Sequence, residues 1–360
     1  MKDKLLVVNL GSTSTKLAIY QNGEKLWQDN IEHDPEYMKQ FGMPYDQLDM
    51  RTAIVREAMA KHGDKEEELV AVVTRGGLLP PVAAGAYEVN PEMIEVLRNR
   101  PMNHHISNVA CALGYNIAHP LGIKAYIYDP VTVDEMIPLV RITGLKEIRR
   151  HGQGHNLNMR ATALRYCKEN SLDYKNINLI VAHLGGGITF TLHSNGRMID
   201  MISDDEGAFS PERASALPAF KLLKYVFDRG LDYNGAMKVL QKKGGLNSLL
   251  GTTDAREVEK MIENGDENAK LVYEAMALGV ARSIAKLAVV VNGKVDQILL
   301  TGGIAYSKMF TDMVIERVKF IAPVTVMAGE NEMQALAEGA YRVLNGEEEA
   351  HIYHENKEEL

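Results

Sequence analysis

Lys4-Leu5-Leu6-Val7-Val8-Asn9-Leu10-Gly11-Ser12-Thr13-Ser14-Thr15-Lys16-Leu17-Ala18-Ile19-Tyr20-Gln21-Asn22-Gly23 decides the fold. An apolar run enters a Gly/Ser/Thr loop, a second run leaves it, and an Asn-Gly pair of the kind type I′ turns favour folds the chain back. Such a loop offers an anion backbone N–H groups and hydroxyls, with Lys16 close by. The pattern recurs in Leu179-Ile180-Val181-Ala182-His183-Leu184-Gly185-Gly186-Gly187-Ile188-Thr189-Phe190-Thr191-Leu192-His193-Ser194-Asn195-Gly196. Ten positions separate Ser12 from Asn22, and ten separate Gly185 from Asn195. A duplicated anion-binding hairpin predicts two related domains with a polyphosphate held in a cleft between them.

The bulk numbers agree with that picture. A chain of 360 residues exceeds the size at which one core keeps growing. Hydrophobic residues at 46% and charged residues at 24% are ordinary for a globular protein. No run approaches the ~18 apolar residues of a membrane span, and a start that is already strand-like, with Asp3, does not read as a signal peptide. Membrane partners are therefore not expected, and the expected location is cytoplasmic. Net charge is −8 with basic residues scattered, which disfavours nucleic acid. Cys111 and Cys167 lack metal spacing and read as buried thiols of a reducing compartment.

Short β-branched runs alternating with helical patterns predict an α/β fold. Strands are expected over 5–10, 17–20, 70–74, 125–128, 179–183, 188–192, 297–301 and 324–327. Helices are expected over 50–62, 103–119, 157–170, 214–228, 268–291 and 334–344. Domains are expected over 1–155 and 156–345, with the closing helix packing back on the first and 346–360 left as an acidic, solvated tail.

Three loops follow apolar strands: 9–16, 183–187 and 300–305. Gly11 to Lys16 lacks the Gly-Lys-Ser/Thr ending of a P-loop, and no G-x-G-x-x-G follows a strand. Glycines at such strand ends let phosphate or a purine approach the backbone.

The order of two phosphate hairpins and a Thr301-Gly302-Gly303 loop resembles the sugar kinase and actin superfamily. Asn9, where most members carry aspartate, is similar to the acetate and butyrate kinases. Arg75-Gly76-Gly77-Leu78-Leu79-Pro80, Gly85-Ala86-Tyr87-Glu88-Val89-Asn90, Asp129-Pro130-Val131-Thr132-Val133-Asp134 and Ser210-Pro211-Glu212-Arg213 resemble the butyrate kinases of the acetokinase family, over residues 4–344. The segment 149–158 carries one residue more than the family pattern, which places His155 at the catalytic histidine and leaves His151 as its competitor. Val72 stands where acetate kinases carry an arginine, and Arg75 directly precedes Gly76.

The resemblance implies two actin-like (ribonuclease H-like) domains flanking a nucleotide cleft. It implies reversible phosphorylation of butanoate by ATP with Mg2+, in a homo-oligomer. The alternatives are a propionate-type or branched-chain carboxylate kinase, an acetate kinase, or a non-enzymatic actin-like regulator. A carboxylate with pKa near ~4–5 is ionised at neutral pH, so this reaction needs positioning and positive charge rather than a general base. Arg213 suits the transferring phosphoryl group, His155 one of its oxygens, and Arg75 the substrate carboxylate. Asp129 would orient Arg213 or hold a metal-bound water. Gly11, Ser12, Ser14, Lys16, His183, Gly185, Gly186 and Gly187 would hold the phosphates, and Gly302, Gly303 and Ile304 the adenosine. Asn9 and Glu332 resemble the metal-associated pair, with Glu330 as the other glutamate considered, and His104 resembles a position near the phosphate.

Overall fold

The opening stretch forms β1 (Lys4–Leu10) and β2 (Ser14–Gln21), antiparallel, and the Asn-Gly pair turns the chain into β3 (Glu24–Glu32). Asn22 and Gly23 have φ of +52° and +85°. Such a turn needs positive φ at both central positions, which Asn and Gly tolerate. The recurrence forms β7 (Leu179–Leu184), β8 (Ile188–Ser194) and β9 (Arg197–Ile202), with Asn195 and Gly196 at +51° and +73°. Both hairpins carry a register shift that starts three residues before the turn asparagine, at Ile19 and at Leu192. The copies differ at the other end. Four residues link Leu10 to Thr15, and three link Leu184 to Ile188.

In this computed structural model, which describes residues 3–355, the chain divides into two compact units, Met1–Asp134 with Asn331–Leu360, and Glu135–Glu330. The remaining strands of the first unit are β4 (Leu69–Arg75), β5 (Ala86–Glu88), β6 (Lys124–Tyr128) and β12 (His351–Ile352). Its sheet runs β12-β5-β6-β4-β1-β2-β3. The second unit adds β10 (Gln297–Thr301) and β11 (Val324–Val326), in the order β11-β10-β7-β8-β9. An antiparallel meander followed by two parallel strands is common to both: β3-β2-β1-β4-β6 and β9-β8-β7-β10-β11. This is the duplicated actin-like α/β architecture.

In the second unit, alternate residues of β7 enter different cores. Leu179 and Val181 join Met159 and Ala163 of the helix Asn156–Glu169. Ile180, Ala182 and Leu184 join Tyr273, Met276 and Val280 of the helix Glu267–Ala288. A strand covered on both faces reads as a continuous apolar run, which is why this one is so legible. In the first unit the helices Ser107–Ala118 and Glu332–Leu344 lie against β1, β4 and β6. Gly339 makes the second contact close: a Cβ there would sit 2.5 Å from the Tyr128 ring.

Three expectations need correction. The helix expected over 214–228 starts only at Ala219. Ser215 has φ of +50°, the Ala214 N–H donates to the Leu240 carbonyl, and the residue preceding Pro218 is biased away from helical backbone. The expected solvated tail is docked in its described part. β12 pairs with β5, Tyr353 is buried, Glu348 accepts from the Tyr128 hydroxyl at 2.6 Å, and Asn90 donates to the Tyr353 carbonyl. Residues 356–360 of that tail lie outside the described residues. The helices Pro91–Asn99, Tyr233–Lys242, Ala255–Glu263 and Lys308–Val318 also emerge where no helix was expected.

Candidate functional site

The ends of β1, β2 and β4 assemble the candidate residues of the first unit. Asn9 is the cross-strand partner of Lys16, and Val8 pairs with Thr74, so the next residues, Asn9 and Arg75, lie side by side. The buried Asn9 amide donates to Glu332 Oε2 at 2.6 Å, and Arg75 Nη1 meets Glu332 Oε1 at 2.5 Å. Glu332 opens the helix Glu332–Leu344, next to the capping Asn331. Of the two glutamates considered for a metal, Glu332 touches Asn9; Glu330 belongs to the second unit. Lys16, Ser12 and Thr13 are exposed, and Gly11 and Ser14 close the loop with paired backbone bonds.

Asp129 follows β6 with φ of +41°, is 2% exposed, and accepts from the Gly85 N–H at 2.7 Å. Its observed task is to pin the 85–129 crossing. His104 is exposed. Its neighbour His105 is also exposed but is the histidine near Arg75: partial desolvation, then the positive Arg75, holds its pKa below the usual imidazole range. Its Nδ1 accepts from the Ser107 N–H at 3.2 Å, which leaves the neutral ring its proton on Nε2.

In the second unit the corresponding row runs across β8, β7 and β10. His183 lies between Thr189 and Thr301 in the ladder and is 1% exposed. Asn158 Nδ2 approaches His183 Nδ1 at 3.0 Å, which makes Nδ1 the acceptor and places the ring proton on Nε2. His155, at the start of the helix Asn156–Glu169, stacks on His183 with ring centroids 3.9 Å apart and meets Thr189 Oγ1 at 3.0 Å. His151 is exposed on the segment before it.

Arg213 lies against the glycine loop. A Cβ on Gly187 would stand 3.1 Å from its Cζ. Ser210 fixes this contact, donating from Oγ to the Gly186 carbonyl at 2.5 Å and accepting from the Arg213 N–H. Arg213 pairs with Asp204, and its buried Nε has no hydrogen-bond partner among the described residues. Burial lowers its pKa from the usual guanidinium value. The adenosine candidates form the turn Gly303–Tyr306, where Gly302 adopts φ of +89° and exchanges backbone bonds with Gly329. A Cβ on Gly302 would meet the Leu184 carbonyl at 2.4 Å, whereas Gly303 faces open space and Ile304 is buried. Sequence reading overlooked Asp204, Thr189, Asn158 and His105 as site residues.

A glycine hairpin thus stands at the strand ends of each half of the duplicated fold. The model of the acetokinase family matches residues 140–351. A protein of Caldanaerobacter subterraneus named probable butyrate kinase 2 is 44% identical over 97% of this chain and 99% of its own. Butyrate kinase 2 of Clostridium acetobutylicum is 42% identical over 98% and 100%. The chain belongs to the acetokinase family. The crystal structure of Porphyromonas gingivalis acetate kinase shares the fold at a TM-score of 0.79 and 21% identity, over 95% of this chain and all of that one.

Proposed function

We propose that the chain is an ATP-dependent carboxylate kinase that converts butanoate and ATP reversibly into butanoyl phosphate and ADP. The observation that carries this reading is 44% identity to a relative named butyrate kinase over nearly the whole of both chains. A carboxylate oxygen forms a bond to the γ-phosphorus in line with the bond to ADP that breaks, and the electron pair leaves on the ADP oxygen. No proton moves, because the acid is already ionised.

The residues meet the electrostatic demand of joining two anions. Arg213 serves the transferring phosphoryl group and His155 donates to one of its oxygens; the loop Gly185–Gly187 serves phosphate oxygens, and in the loop 11–16 the N–H groups of Ser12 and Thr13 do so, since those of Gly11 and Ser14 are bonded to each other's carbonyls. Arg75 serves the substrate carboxylate, exchanging its contact with Glu332 for it. Asp129 acts by holding the Gly85 crossing. Mg2+ usually keeps its waters and takes one or two protein ligands besides the phosphates. The Glu332 carboxylate and the Asn9 amide oxygen suit an ion of that kind, and no cluster of three His, Cys, Asp or Glu among the described residues suits a caged one. Mg2+ would neutralise phosphate charge.

No helix among the described residues is long and apolar enough to cross a membrane, in keeping with a cytoplasmic enzyme. Phe220, Leu223 and Phe227, all exposed on the helix Ala219–Asp228, support a homo-oligomer. A panel of C2 to C6 acids, with acyl phosphate trapped as hydroxamate, tests the function. Highest kcat/KM on butanoate is expected. A maximum on acetate, propionate or a branched acid moves the assignment to that kinase. ATP binding without product for any acid leaves a nucleotide-binding regulator. One methylene in an apolar pocket changes binding by only ~1–3 kcal/mol, so the panel should show a graded preference.

A further inference from the structure

Arg51, in the helix Leu48–Lys61, is 0% exposed and wraps the inner side of the 11–15 loop. Its Nη1 donates to the Ser14 carbonyl at 2.7 Å, to Thr15 Oγ1 at 2.8 Å and to His33 Nε2 at 2.7 Å. Its Nη2 donates to the Gly11 carbonyl at 3.1 Å and, at a longer 3.5 Å, to that of Ser12. Gln47 Oε1 takes Nη2 at 3.0 Å. Each acceptor is neutral, since a His33 nitrogen that accepts from a guanidinium is unprotonated. An interior guanidinium normally comes with a carboxylate, and among the described residues this one has none.

In a trans peptide the N–H points opposite the preceding carbonyl. Holding the carbonyls of Gly11 and Ser12 inward therefore turns the N–H groups of Ser12 and Thr13 outward. Both residues are exposed, and among the described residues neither N–H takes part in a hydrogen bond. The loop thus presents two free donors over a buried positive charge, an arrangement completed by an anion.

We propose that Arg51 is a positioning residue that fixes the 11–15 loop in its donor-outward form and that its charge is balanced by the terminal phosphate of the nucleotide. The proposal rests on the carboxylate kinase reading for the identity of that phosphate. It makes the loop a reader of ATP against ADP.

Arg51→Lys and Arg51→Met test it through nucleotide affinity, the melting temperature and kcat per ADP-binding site. In Arg51→Lys one ammonium cannot span carbonyls on both sides of the loop. The preference for ATP over ADP is expected to fall at least about tenfold, and kcat per site by a similar factor, with ADP affinity within about twofold of wild type. Arg51→Met, if folded, should lose more. An unchanged ATP/ADP preference in a variant that binds ADP stoichiometrically overturns the proposal. So does a lowered melting temperature with kcat per site intact, because that is the signature of a merely structural arginine. Failure of the wild type to make any acyl phosphate would instead overturn the carboxylate kinase reading, and the ATP/ADP preference would still decide the role of Arg51.

Discussion

The two hairpins are built on one topology and solve different electrostatic problems. At the ends of β1, β2 and β4 the row carries charge at Lys16 and Arg75 with the neutral Asn9 between them, closed by Glu332. At the matching places on β8, β7 and β10 the row is Thr189, His183 and Thr301, closed by Asn158 and the stacked His155. Each loop also has an arginine. Arg51 is sealed beneath the first and bonded to its carbonyls, whereas Arg213 lies against the second with its buried Nε free of hydrogen bonds among the described residues. A guanidinium that spends its donors on the protein shapes a loop. Arg213 instead pairs with a carboxylate, that of Asp204.

The largest test of that contrast is Arg213→Ala. A cation on the transferring phosphoryl group is worth on the order of 10³ or more in rate, so kcat should fall by about that factor with KM for the acid little changed. Wild-type turnover in a hydroxamate assay would end the comparison. Gly302→Ala comes next. The new methyl would press on the Leu184 carbonyl at a φ of +89°, with an expected loss of about 3 kcal/mol or more. Chemical denaturation would register it, and ADP affinity should fall alongside. Unchanged values would mean that the β7 and β10 loops are not locked to each other.

Asn9→Asp sharpens the difference between the rows. It replaces an amide donating at 2.6 Å to Glu332 with a second carboxylate. Like charges at that distance push one pKa up, so kcat/KM should fall about tenfold near neutrality and recover partly on raising Mg2+. A variant as active as wild type would show that Asn9 does not need to donate. The smallest effect concerns acid stability. His193, on β8, is bonded to the Tyr174 hydroxyl and to Thr191, and burial, then Arg160, lowers its pKa to about 3. A folded pKa below the unfolded value of about 6.5 means that its contribution is fully present above pH 6.5. It is lost as pH falls from 6.5 towards 3, because only the unfolded chain takes up the proton. His193→Gln should flatten the pH dependence of the melting temperature across that window by up to one proton; an identical slope would refute the assignment.

Legibility followed the length scale of the interaction. The hairpins were readable because Asn22-Gly23 and Asn195-Gly196 impose a local dihedral requirement and β1 and β7 are buried nearly throughout. The helix Ala219–Asp228 was misplaced at its start because tertiary bonds, from the Ala214 N–H to the Leu240 carbonyl, the Ala216 N–H to the Gly207 carbonyl and the Ser215 hydroxyl to the Asp204 carbonyl, hold residues whose composition suits a helix. The acidic segment after Asn345 read as solvated because its charges find partners in distant residues, such as Tyr128 with Glu348 and Arg100 with Glu355. Arg51 was invisible for the same reason. On a helix of mixed polarity it looks like any surface arginine until the loop 37 residues before it is folded over it.

By itself the sequence determined the strand–loop–strand units, their turns and their duplication, since each rests on backbone preferences within some twenty residues. It also carried the motifs that mark the acetokinase family. Only the tertiary structure decided that Glu332 joins Asn9 across 323 positions, that His155 stacks on His183, and that Arg213 meets Asp204 while Arg51 meets carbonyls. Partners of charged and polar groups are set by which strand ends come together, and that follows from closing the sheets and burying their faces, which no local stretch encodes.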